Sequence, residues 1–396
     1  MVLKKPPAQA AISFSPMKRV CFISTVHHNV GDDFVREGIL CLLKSLLGEV
    51  ESRVVHKHFP ATTRGEFWRI LDQRTRHVPD WLRWRSRLSD VADFMPVEAA
   101  TDAVLSSDLV IQAGTPVYWK NDWSSCARTE WFEPLIRRRW KKHPRHVPLL
   151  NLGAGSCQSW GSDGSEIIAD ARCRKFIQEF TSWSALTTVR DELARRILHE
   201  CGHDVPMLPC PSILAPESVG VEPGGGDFVA LNYMPYGGHY DLNRGGPHAK
   251  TKWEQQFCSS VKELARNHPC LVVCHDKEEV AEAARLFPEI PRFYSEDWRE
   301  YLHTYSRCRA AVVNRVHAAV VSGAMGRQAL LIGNDSRLLT ASEVPGVTIL
   351  PVSDAMEALP HRMRELLQAP ATAAPLQWIA EMKGRYLDLL RAVLFP

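Results

Sequence analysis

The stretch RVCFISTVHHNVGDDFVREGILCLLKSLLGEVESRVVH, running from Arg19 to His56, decides the fold. It opens on a short β-branched and apolar run, VCFIST. An amphipathic stretch follows, DFVREGILCLLKSLL, and then a second apolar run, SRVVH. Short apolar runs that alternate with helical stretches mark βαβ units and a mostly parallel sheet. The loop between the first run and the helix, N-V-G-D-D, places Gly31 where the chain must turn tightly. Asp32 and Asp33 stand where helix-starting acids belong.

The same alternation extends outward in both directions. DLVIQAG (Asp108 to Gly114), VPLLNLGAG (Val147 to Gly155) and ALTTV (Ala185 to Val189) read as strands, and DELARRILHEC as a helix. PMLPCPSILAPESVGVEPGGG is dense in proline and finishes on Gly224, Gly225 and Gly226, the composition of an interdomain connection. Beyond it the pattern restarts with FVALN, a helix around Trp253 to Asn267, CLVVC, a helix from Glu278 to Leu286, RAAVVN, a helix from about His317, ALLIG and VTILP. The stretch LQWIAEMKGRYLDLLRAVL has helical periodicity and should pack on one or both units. The expected architecture is therefore α/β, with two Rossmann-like, doubly wound domains facing a cleft. The first spans 17–206, a Pro/Gly-rich linker covers 207–226, the second domain spans 227–376, and a terminal helix covers 377–396.

Length and composition agree with that reading. At about 150 residues per domain, a chain of 396 residues holds two or three domains. Hydrophobic residues at 45% and charged residues at 23% are those of an ordinary soluble protein, which excludes disordered and fibrous classes. A net charge of +3 over this length gives no support to nucleic-acid binding, so any anion site must be local. The eleven cysteines are scattered without a C-x-x-C pair, which implies neither a disulfide framework nor a zinc ribbon and points to a reducing cytoplasm. Lys4 and Lys5 are not followed by the apolar run of a signal peptide. No segment approaches the roughly 18–20 apolar residues that span a bilayer.

Ligands of such sheets bind outside the carboxyl ends of the strands. Five loops there bear on chemistry. Asn29, Gly31 and Asp32 follow the first strand, where they serve either as a capped turn or as ligand contacts. Gly114 and Thr115 follow the DLVIQA strand, and a glycine at that point permits close approach of backbone to ligand. NLGAGSCQSWGSDGS is glycine-rich but lacks the G-x-x-x-x-G-K-[ST] spacing of a phosphate loop, and no G-x-G-x-x-G fingerprint is present. ATP hydrolysis and NAD-dependent redox chemistry thereby lose their usual support. Arg190 stands between a strand and a helix, where its planar fork of donors reaches toward a phosphate or carboxylate. Most telling is RAAVVNRVHAAVVSGAMGRQALLIG, in which Arg315 and His317 open an Ala- and Gly-rich helix. Cations at a helix start oppose the macrodipole, and an arriving anion would resolve the conflict.

These loops, in this order, resemble the polysaccharide pyruvyl transferase family. The matching pieces are N-V-G-D-D, D-L-V-I-Q-A-G-T, N-L-G-A-G, V-R-D-E, P-C-P-S, N-R-V-H-A and G-R-Q-A-L-L-I-G, over roughly His27 to Arg337. The chain departs from the commonest pattern in carrying A-G-T-P where G-G-G is usual and P-C-P-S where an Asp-Pro-Ala-like stretch is usual. The resemblance implies a glycosyltransferase-B-like fold with the acceptor on the N-terminal side and the donor on the C-terminal side. It implies transfer of a pyruvyl group from phosphoenolpyruvate to a saccharide or lipid-linked saccharide, with phosphate released. On that reading Arg190 and Arg315 are cationic clamps and His317 is the general acid. Asn29, Gly31, Asp32, Gly114 and Thr115 line the substrate, and neither metal nor cofactor is called for. The alternatives are a nucleotide-sugar-dependent glycosyltransferase and a non-catalytic anion- or glycan-binding relative. Two basic, aromatic stretches, around Trp68, Trp81 and Trp84 and around Trp131 and Trp140, are either solvated helices or contacts with an anionic membrane surface.

Overall fold

The computed structural model describes residues 18–25, 29–56, 102–114, 116–119, 147–222, 224–234, 247–369, 373 and 375–395. The stretches around Trp68, Trp81, Trp84, Trp131 and Trp140 lie outside the described residues, as do His27, His28 and Thr115.

The first βαβ unit forms as its pattern requires. Strand β1 (Lys18–Ser24) leads into α1 (Val30–Leu47), which Asn29 caps by accepting the Gly31 N–H at 3.1 Å. The helix stops at Gly48, whose φ of 74° reverses the chain into β2 (Val50–His56). β3 (Leu109–Ala113) and β4 (Pro116–Tyr118) run along β5 (Leu149–Ser156) in one continuing register, Ala113 opposite Leu152 and Pro116 opposite Gly155. They amount to one strand broken at Gly114. Helix α2 (Ala171–Trp183), strand β6 (Leu186–Val189) and helix α3 (Glu192–Glu200) complete the half, with β6 on β5. Every pairing in this sheet is parallel, and its order is β2-β1-β3-β5-β4 with β6 beside β5.

The second sheet is again parallel, in the order β12-β11-β10-β7-β8-β9. Its strands are β7 (Phe228–Leu231), β8 (Cys270–Val273), β9 (Arg292–Phe293), β10 (Cys308–Val313), β11 (Gln328–Gly333) and β12 (Val347–Pro351). Between them run α4 (Pro247–Ala265), α5 (Lys277–Leu286), α6 (Trp298–Ser306) and α7 (Val316–Ala324), and α8 (Val352–Gln368) follows β12. The chain is thus two Rossmann-like α/β units, and among the described residues no helix is long and apolar enough to cross a membrane.

One apolar core belongs to both units. Phe34, Ile39 and Leu42 of α1 join Tyr301, Leu302 and Tyr305 of α6 and Ala318, Ala319 and Val320 of α7 in one buried cluster. The proline-rich connection enters that cluster through Leu208, Cys210, Ile213 and Leu214. Helix α9 (Leu376–Leu394) seals it with Tyr386, Leu390 and Leu394, and the Tyr386 hydroxyl donates to the Pro209 carbonyl at 2.9 Å. The flank is tied by polar contacts. Ser156 Oγ meets Ser336 Oγ at 2.8 Å, Ser336 N donates to the Gln158 carbonyl at 2.7 Å, and Gln158 N donates to Ser336 Oγ at 2.9 Å.

The seat of α1 against the connection is tight enough to reverse an ordinary rule. Alanine in place of a mid-helix glycine normally stabilises by about 0.5–1 kcal/mol. At Gly38, however, a Cβ would overlap the Pro211 carbonyl, whereas at Gly384 in α9 it would meet nothing within 4 Å. Urea unfolding should therefore show Gly384→Ala raising stability and Gly38→Ala lowering it by about 1–3 kcal/mol. A Gly38→Ala variant as stable as the parent would contradict this packing.

Candidate functional site

The carboxyl ends of β3, β5, β6 and β10 bring their loops to one place. Arg190 leaves β6 held by its own backbone, its N–H on the Ala154 carbonyl at 3.0 Å. The side chain is 5% exposed, so its charge lies inside the protein. Arg190 Nη1 donates to the Gly114 carbonyl at 2.6 Å. Gly114 can aim that carbonyl because it adopts φ of 50°, and a Cβ there would run into Val35. Gly155 on β5 must also lack a side chain, since a Cβ would stand 2.6 Å from Arg190 Nε. That Nε is buried and, among the described residues, has no hydrogen-bond partner. Beside it, Asp191 caps α3 through the Ala194 N–H at 2.8 Å and accepts from Ser156 N and Ser156 Oγ. Burial pushes the Asp191 carboxyl up, and these bonds pull it partly back.

His317 arrives from the other sheet in the first turn of α7. Its Nε2 lies 3.3 Å from Arg190 Nη1, and this contact joins the two halves at the cleft. The opposite edge of the ring rests on Gly31, where a Cβ would overlap Nδ1. The amino ends of α1 and α7 thus converge on the histidine, an arrangement that favours anions. Ser24 and Thr25, at the carboxyl end of β1, carry buried hydroxyl groups that have no partner among the described residues. Asp32 is buried in the first turn of α1.

Arg315 is placed otherwise than the sequence led us to expect. Its Nε donates to Glu279 Oε1 at 2.7 Å and its Nη2 to Asp276 Oδ2 at 2.6 Å, while its backbone N–H donates to Asn232 Oδ1 at 3.1 Å. The anion that resolves the conflict at the start of α7 is supplied by the protein itself. Two carboxylates already neutralise this guanidinium, so it is not a second free clamp facing Arg190. The signal was present as D-K-E-E at the start of α5, which reads alone as an ordinary capped helix.

Cys210 is the member that sequence reasoning passed over. Its sulfur lies 3.6 Å from His317 Nε2 and 3.7 Å from Arg190 Nη1. Burial pushes the thiol up, but the His317 and Arg190 charges together with the close His317 contact outweigh it and bring the pKa down to about 6. The sequence showed only a cysteine between two prolines.

Behind Arg315, His275 follows β8 and is buried, with Nε2 2.8 Å from the Tyr305 hydroxyl and Nδ1 unpartnered. Burial first, then Arg315 and His317, hold its pKa well below 6.5. The unfolded chain takes up a proton on this imidazole near pH 6.5 and the folded chain does not. Stability should therefore fall as pH drops below about 6.5, by up to about 1.4 kcal/mol per pH unit. Urea unfolding between pH 5 and 7 should show a shallower slope in His275→Gln than in the parent; equal slopes would refute the assignment.

Gly31→Ala offers a sharper probe of the close approach. Displacing the His317 ring without touching its chemistry should cost any activity of this site at least tenfold while far-ultraviolet circular dichroism stays unchanged, because misplacement of about 1 Å is enough.

Comparison with known proteins follows the same lines. A Listeria monocytogenes protein described as a UDP-N-acetylglucosamine 2-epimerase superposes with a TM-score of 0.54 at 13% identity, covering 97% of each chain. The Methanocaldococcus jannaschii UDP-GlcNAc 2-epimerase, solved in complex with UDP-GlcNAc and UDP, gives 0.52 at 9% identity, covering 94% of this chain and 99% of that one. At such identities the likeness is one of fold, and it makes the two-unit architecture glycosyltransferase-B-like. No curated protein sequence matches the chain. The family model described as polysaccharide pyruvyl transferase matches residues 29–336, a span that runs from the cap of α1 to Ser336 and contains Arg190, Cys210 and His317. The chain belongs to the polysaccharide pyruvyl transferase family and is a transferase.

Proposed function

We propose that the protein transfers the pyruvyl group of phosphoenolpyruvate to a saccharide or lipid-linked saccharide and releases phosphate. The observation that carries this reading is the 3.3 Å contact between buried Arg190 and His317 at the convergence of two helix amino ends. Phosphoenolpyruvate brings a phosphate and a carboxylate within a few ångströms of one another. The Nε of Arg190, unpartnered among the described residues, and the Arg190–His317 pair at the amino ends of α1 and α7 offer donors to such a pair of anions.

The proposed reaction begins with a proton from His317 to C3 of the enol, which leaves an oxocarbenium-like centre at C2. A sugar hydroxyl adds at C2 and its proton returns to His317. The bond between C2 and the phosphate oxygen breaks as phosphate leaves, and a second hydroxyl of the same sugar closes a cyclic ketal, its proton leaving with the phosphate. Arg190 holds the donor and offsets the charge that collects on the departing phosphate. Arg315, tied to Asp276 and Glu279, fixes the start of α7 and hence the position of His317. Asn29 and Gly31 contribute the cap and the space that bring α1 to the ring, and Gly114 orients Arg190. Asp32 remains an acceptor-side contact in this scheme. We assign the reaction to the cytoplasm, where the described cysteines, all free, persist as thiols.

His317→Gln should lower phosphate release from phosphoenolpyruvate in the presence of acceptor by about 10²–10⁴-fold without unfolding the protein. Mass spectrometry of candidate glycans incubated with phosphoenolpyruvate should show pyruvylated product from the parent alone. In thermal-shift measurements phosphoenolpyruvate should stabilise the protein by mass action. Stabilisation by nucleotide sugars alone would replace this reading with a nucleotide-sugar-dependent glycosyltransferase.

A further inference from the structure

Three polar atoms crowd together where the connection passes beneath the cleft. Arg190 Nη1 and His317 Nε2 are 3.3 Å apart, and Cys210 Sγ stands 3.7 Å from the first and 3.6 Å from the second. Arginine has only donors to offer and keeps its charge at any pH of interest. Nη1 already gives one hydrogen to the Gly114 carbonyl. In the imidazolium that a proton donor requires, both ring nitrogens carry hydrogen, and the Nε2–H points at a second cation inside the protein. A pair of like charges so placed is costly without an anion to share. The sulfur is the acceptor within reach of both nitrogens.

The surroundings of the sulfur agree. The groups that face it are Arg190 from the β6–α3 junction, His317 from α7, Ser212 from its own turn and Tyr386 from α9. None of these brings a negative charge, since burial pushes the Tyr386 hydroxyl above its usual range; the carboxyl beside Arg190, Asp191, is itself raised by burial and engaged by Ser156 and the Ala194 N–H. Cys210 itself is wholly buried and held from behind, because Tyr386 anchors the neighbouring Pro209 carbonyl at 2.9 Å. Arg190 adds a second sign that the pocket is built for anions: it is 5% exposed, yet its Nε has no partner among the described residues.

We propose that Cys210 is a positioning residue of this site, a thiolate counter-charge that aligns protonated His317 and Arg190 for the anionic donor. The inference rests on the Arg190–His317 reading given above. The sulfur does not attack the substrate. It takes the Nε2 hydrogen of His317 and so fixes the ring plane, and it lets two cations share a dry pocket before the donor arrives. The low thiol pKa of about 6 supports this assignment.

The decisive measurement is the ultraviolet thiolate absorbance of the full chain, titrated against pH, with Cys210→Ser subtracted. A step centred near pH 6 is expected, and in His317→Gln it should move up by about one pH unit or more, toward the ordinary thiol value near 8.5. A step already at the ordinary value in the parent, or one that His317→Gln leaves in place, overturns the proposal. This readout does not depend on the identity of the donor, so it separates failure of the inference from failure of the phosphoenolpyruvate reading. In turnover, Cys210→Ser should lower kcat roughly tenfold, and the parent should lose activity below about pH 6, where the thiolate is protonated, while Cys210→Ser should not show that step. Cys210→Asp, which restores an anion, should recover most of the rate; equal loss in both variants would count against the counter-charge. Should Cys210→Ser fail to fold, the difference titration between the parent and His317→Gln carries the same information.

Discussion

A guanidinium buried where the two units meet is the constraint around which this molecule is arranged. Taking such a charge out of water is costly unless polar groups stand ready to receive it. Gly114 turns a carbonyl toward Arg190 through a backbone conformation that few other residues adopt. Gly155 gives up a side chain to make room, and Gly31 does the same for the histidine on the far side. Cys210 sits below both. Three residues of unrelated sequence position thus answer to one charge and a fourth to the histidine beside it, and each would look unremarkable without them.

The second buried arginine shows the other solution. Arg315 receives two carboxylates and a fixed backbone, and it spends its donors on holding the C-terminal unit together. A closed ion pair of this kind gives geometry more than reactivity. The two arginines therefore divide the work. One is saturated and structural, while the other keeps a donor in reserve.

Much of the architecture was legible in the pattern of residues. The alternation from VCFIST to SRVVH becomes β1, α1 and β2, and RAAVVN followed by an Ala-rich stretch becomes β10 and α7. Periodicity of this kind reports burial, which is local and strong. Arg190 and His317 could be named because each sits at a strand end, where a charged residue has no packing reason to be. The partners of Arg315 could not, because Asp276 and Glu279 lie some forty residues before it and look like routine helix-starting acids. Cys210 was hidden for a related reason. Its role comes from two side chains delivered by different sheets, and nothing beside it in the chain announces them. Sequence spacing shows what a segment must bury, whereas charge pairing across a fold depends on topology.

Helix α9 carries a consequence for how the protein is made. Tyr386, Leu390 and Leu394 complete a core whose first members, Phe34 and Ile39, emerge from the ribosome some three hundred and fifty residues earlier. The leading sheet must wait through most of translation with an oily flank uncovered, and parallel sheets with such distant contacts are slow to settle. A nascent chain in that condition is a natural client for chaperones, and the segment at Pro209 acquires its final support only when α9 docks.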